Sequence, residues 1–82
     1  MFLDKDTLAL ARALIYDGSW NGIENKETDE VRLAKQVVRN LPFPCENIKL
    51  YINNTIFDED MRQAVTEQVL DLLLIAHVGN AD

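Results

Sequence analysis

Between Met61 and Val78 apolar residues fall too densely to occupy one face of a helix, and this stretch limits what the chain can fold into. Met61, Val65, Val69, Leu72, Leu73 and Ala76 recur at the three-to-four spacing of a helix laid against a core. Leu70, Leu74 and Ile75 then carry apolar surface past that stripe. Leucine on both sides of a helix is costly in water unless a second surface covers it. The longest apolar run, 69 to 78, is interrupted by Asp71 and His77 and is far shorter than the roughly 20 residues that span a bilayer. The expectation is a core or interface helix starting near Thr55 or Asp58 and ending about His77, with Gly79 as the stop.

Two further helices are marked by their ends. The first starts at Asp4 or Asp6, whose carboxylate can accept bonds from first-turn amides, and runs through Leu8, Ala11, Leu14 and Ile15 to Asp17-Gly18. A loop of about ten residues then leads to Thr28, a good N-cap. Asp29 and Glu30 follow in the first turn, and Arg32, Lys35 and Arg39 lie further along, as the helix dipole favours. Val31, Ala34, Val37, Val38 and Leu41 share one stripe, and Pro42 and Pro44 forbid continuation.

From Cys45 to Asn53 the pattern is double. Ile48, Leu50 and Ile52 alternate as in a strand, whereas Pro44 suits the first position of a helix. No second alternating run exists to pair with a strand, so a short helix is favoured and an extended segment at 48–52 is the alternative. The fold expected is all-α: a compact bundle of three or four helices, one domain over residues 1–82, with the last helix at its centre.

A chain of 82 residues has a marginal core, which a partner or self-association would help. The net charge of −6 opposes attraction to phosphate backbones and anionic membranes and favours a basic partner. Cys45 is the only cysteine, so an internal disulfide and a thiolate metal cluster are both excluded. The first residues lack the order of a secretory signal, and a cytoplasmic location is expected.

Several candidate sites are weighed against plainer roles. Asp17, Ser19 and Asn21 before Gly22 resemble the opening of a calcium loop, but Thr28 stands where that loop needs a bidentate Glu, so a structural loop is expected. Trp20 is a possible binding anchor, but docking on the core is favoured because so small a domain has few other large side chains to fill its centre. Arg32, Lys35 and Arg39 form a basic face that would serve a nucleic-acid regulator. The acidic groups at Asp4/Asp6, Glu24/Glu27/Asp29/Glu30 and Asp58/Glu59/Asp60 would serve a mimic that blocks a basic groove, although capping explains two of them. Cys45 and His77 have no sequence-level link to each other or to an oxyanion site, so no catalytic residues, metal or cofactor are expected.

The function expected is non-catalytic binding of another protein, of itself, or of both, with association into a dimer or higher oligomer expected. The interface expected is Val69, Leu70, Leu73, Leu74 and Ile75, with Trp20 as a possible anchor and Asp58, Glu59 and Asp60 steering a basic partner. Short, acidic, cysteine-poor chains of this type serve phages and plasmids as inhibitors or regulators, which is an analogy of type without a motif behind it.

Overall fold

The structure is a computed structural model and describes residues 3–81. Four helices follow one another: α1 Lys5–Tyr16, α2 Asp29–Asn40, α3 Ile48–Thr55 and α4 Glu59–Ala81. Among the described residues there is no strand, as the all-α reading predicts.

Each helix begins on an oxygen side chain that accepts from the amide three residues on. Asp4 Oδ1 accepts from Thr7 at 2.6 Å, Thr28 Oγ1 from Val31 at 3.3 Å, Asn47 Oδ1 from Leu50 at 3.0 Å and Asp58 Oδ1 from Met61 at 3.0 Å. The Asn47 cap starts the short helix favoured for the ambiguous segment, and the extended alternative at 48–52 is not formed. Ile48 and Ile52, four apart, are buried while Leu50 between them is exposed, so only part of the apparent alternation points inward.

A second correction concerns the end of α4, which does not stop at Gly79 but continues to Ala81. Gly79 lies against α1, where an added Cβ would stand 3.5 Å from Leu10 Cδ2, an ordinary packing contact. Helix packing there outweighs the propensity of a lone glycine, roughly 1 kcal/mol.

One stripe of α4 holds the other helices. Val65, Val69, Leu72, Leu73 and Ala76 are fully enclosed, and α4 packs against all three partners, most extensively against α1 and α2. Leu8, Ala11 and Ile15 of α1, Val31, Ala34, Val37 and Val38 of α2, and Ile48 and Ile52 of α3 complete a single core. The radius of gyration is 11.7 Å, what a compact unit of this length shows, about 12 Å.

Polar links fasten the parts that the core leaves loose. Arg12 reaches from α1 to the end of α2, where Nε donates to the Val38 carbonyl at 3.1 Å and Nη2 to that of Leu41 at 2.8 Å. Arg62 does the same for the end of α3, donating to the carbonyls of Ile56 at 3.0 Å and Phe57 at 3.3 Å. Helix-end carbonyls have no partner within the helix, so each guanidinium supplies one. In the long loop, Gly22 at φ +100° threads a gap where a Cβ would meet Val31 Cγ2 at 2.5 Å, and the next amide, of Ile23, donates to Gln68 Oε1 of α4 at 2.9 Å.

Two predictions follow from these links. Arg12→Met keeps the aliphatic stem and removes both bonds, so it should lower unfolding stability by about 2 kcal/mol in urea titration. The Thr7 amide holds the Asp4 carboxyl below its ordinary value of 3.8, and the Ser19 hydroxyl and amide do the same for Asp17. A carboxyl lowered on folding stabilises above its unfolded value and loses that contribution as pH falls through the folded one. Stability should therefore decline below about pH 4, and Asp4→Asn should flatten that decline in thermal melts taken across the acid range.

Candidate protein-binding face on the last helix

At about 100° per residue, Leu70, Leu74 and Val78 form a second line along α4, nearly opposite its buried stripe. Leu74 is 53% exposed, Val78 58% and Ile75 47%, while Leu70 is half-buried. Val69 and Leu73, expected at the same interface, are instead fully enclosed in the core and cannot reach a partner while the fold is intact. The predicted face thus divides: Leu70, Leu74 and Ile75 lie outward, and Val78 joins them. The four-residue spacing from Leu70 through Leu74 was the signal for Val78.

Trp20 is a core residue, as favoured, and the anchor alternative is lost. It is 4% exposed, and its indole Nε1 donates to Asp71 Oδ2 of α4 at 3.0 Å. A ring enclosed on both faces with its polar edge satisfied is a structural pin between the loop and α4.

The acids on α4 differ in role. Asp58 is occupied by capping, while Glu59 and Asp60 are exposed in the first turn. Glu67, two turns on, stands on the outer line three residues before Leu70, too far from the helix start for the dipole to account for it. Reading outward residues from the N-terminal end gives Asp60, Gln63, Glu67, Leu70, Leu74 and Val78, a face acidic at one end and apolar at the other.

Beside this face runs a groove between α3 and α4. One part, about 420 Å³, is lined by Lys49, Asn53, Glu59, Gln63, Glu67 and Leu70 among others. A second part, about 350 Å³, is lined by Glu46, Asn47 and Ile48 and shares Lys49 and Leu70 with the first, so Leu70 belongs to both the ridge and the groove.

The basic face of α2 is not free. Arg32 pairs with Asp29, and Lys35 Nζ donates to Glu27 Oε2 at 2.9 Å and to Asn21 Oδ1 at 3.0 Å; Arg39 is exposed. The same ammonium occupies the oxygen a calcium loop would use, and Asp17 Oδ1 accepts the Ser19 amide at 2.9 Å. Among the described residues no group of three or more His, Cys, Asp or Glu side chains is placed to hold a metal ion. Cys45 packs half-buried against the core before α3, whereas His77 is exposed on α4. No helix among the described residues is long and apolar enough to cross a membrane.

Comparison with known protein families, with curated proteins and with solved structures finds no match. Calorimetric titration of the metal-free protein with calcium is expected to give no heat, since a bound cation would have to displace the Lys35 ammonium from Asn21.

Proposed function

We propose that this chain is a non-catalytic regulator or inhibitor that acts by binding protein through the outer face of α4, either another protein or a second copy of itself. The observation that carries this reading is the second apolar line, Leu70, Leu74 and Val78 with Ile75, on a helix whose other stripe already fills the core. Covering the exposed half of one such side chain is worth about 1 kcal/mol, so three of them supply about 3 kcal/mol per copy. That is a factor of roughly 100 in affinity, enough to matter in a complex and of no use to the free monomer. A nucleic-acid regulator built on Arg32, Lys35 and Arg39 is less supported, because two of the three are engaged within the chain.

The outer and inner stripes give opposite mutational signatures. Leu74→Asp with Val78→Asp should leave far-UV helicity intact while weakening association at least about 30-fold, measured by light scattering over a concentration range and by capture of bound protein. Leu73→Ala, on the enclosed stripe, should instead cost about 2–5 kcal/mol of stability. If the double aspartate variant unfolds as Leu73→Ala does, the outer line belongs to the fold and the binding reading is lost.

A further inference from the structure

We infer that the occupant of this face is a cationic amphipathic helix of another protein, laid along α4 with its apolar residues on Leu70, Leu74 and Val78 and its basic residues over Asp60 and Glu67. The inference rests on the protein-binding reading above and names the partner's chemistry.

Three observations select this occupant. First, the face is graded: the acids Asp60 and Glu67 lie toward its N-terminal end and the apolar line toward its C-terminal end. A partner that satisfies both must carry apolar and cationic residues in register. Secondly, the outward line itself carries no cation, and although a second copy would bring the Lys49 that lines the groove beside Glu67, it would also add its own −6 charge. The nearest guanidinium on α4, Arg62, is already held by the carbonyls of Ile56 and Phe57. Thirdly, the surface is a helical ridge with a groove beside it, and no strand among the described residues offers an edge for an extended peptide. Ridge and groove suit a second helix, whose side chains interdigitate with Leu70 and Leu74 and reach the Asn53 and Gln63 wall. From Asp60 to Val78 the face is about 27 Å long at the helical rise, so a partner helix of about 18 residues covers it.

The probe is a synthetic helical peptide of about 18 residues with leucines four apart and lysines flanking them, beside a second peptide with every lysine replaced by glutamate. Binding of each labelled peptide to the full chain is measured by fluorescence anisotropy at low and at moderate salt. The lysine peptide is expected to bind at least about tenfold tighter than the glutamate peptide, with the ratio shrinking as salt rises. Because any acidic protein attracts a basic peptide, locality is tested by two charge-matched variants. Asp60→Asn with Glu67→Gln, on the outward face, should weaken binding about tenfold, whereas Glu27→Gln with Asp29→Asn, at the start of α2, should change it less than about twofold.

Equal loss from both pairs, or equal binding of the two peptides, would overturn the cationic partner while leaving apolar docking intact if Leu74→Asp with Val78→Asp still abolishes binding. Concentration-dependent dimers lost in that same variant, with neither peptide bound, would identify a second copy as the occupant and also overturn the inference. A strict monomer that binds neither peptide would remove both this inference and the protein-binding reading on which it stands.

Discussion

The enclosed stripe of α4 is the constraint on which the rest of the molecule depends. Val65, Val69, Leu72, Leu73 and Ala76 lose all contact with water only because α1, α2 and α3 close over them. The short partners need α4 in return: α3 has eight residues and α1 and α2 twelve each, lengths at which an isolated helix is marginal in water. Burial on α4 supplies what propensity does not, so the helices form together with the core that joins them.

Apolar burial is non-directional, and the polar contacts give this core its particular arrangement. Arg12 ties the end of α2 to α1, Arg62 ties the end of α3 to α4, and Trp20 and Ile23 fix the long loop to Asp71 and Gln68. Each of these bonds satisfies a group that packing alone would leave without a partner. They also consume charge: Arg12, Arg32, Lys35 and Arg62 are all held within the chain. Among the exposed carboxylates, Glu59, Asp60 and Glu67 carry no such internal task, and Lys49 is the cation that shares the groove with Glu59 and Glu67.

Local rules made much of this legible from the residues alone. Thr28 and the prolines after Leu41 bracket α2, Asp4 caps α1, and the inner stripe of α4 follows from spacing, because caps and amphipathic periodicity act within a few residues. What stayed hidden depends on contacts across the chain. Nothing near Trp20 in sequence points to Asp71, and nothing near Arg12 points to the carbonyls of Val38 and Leu41. Gly79 reads as a helix stop until α1 is placed against it, and the alternation of Ile48, Leu50 and Ile52 keeps a strand open as the alternative to the favoured helix until the Asn47 cap is seen. The apolar excess on α4 was visible as composition, but separating Val69 and Leu73 from Leu70 and Leu74 required knowing which side the other helices cover.

That separation bears on why the outer line exists. A helix surrounded on all sides by its own chain is expected to be apolar all round, and a helix on the surface to be polar opposite its core. α4 is neither: three helices cover one side, and the other is acidic for its first half and apolar for its second. Folding accounts for the acids in the first turn through the helix dipole, but it assigns no role to Glu67 or to Leu74 and Val78, which the core does not use. A sequence constrained only by the stability of the monomer would place polar residues at 74 and 78 without cost. Under the binding proposed above, Leu74 and Val78 are the side chains a partner would cover, and the change from acid to leucine along the helix is what would orient it.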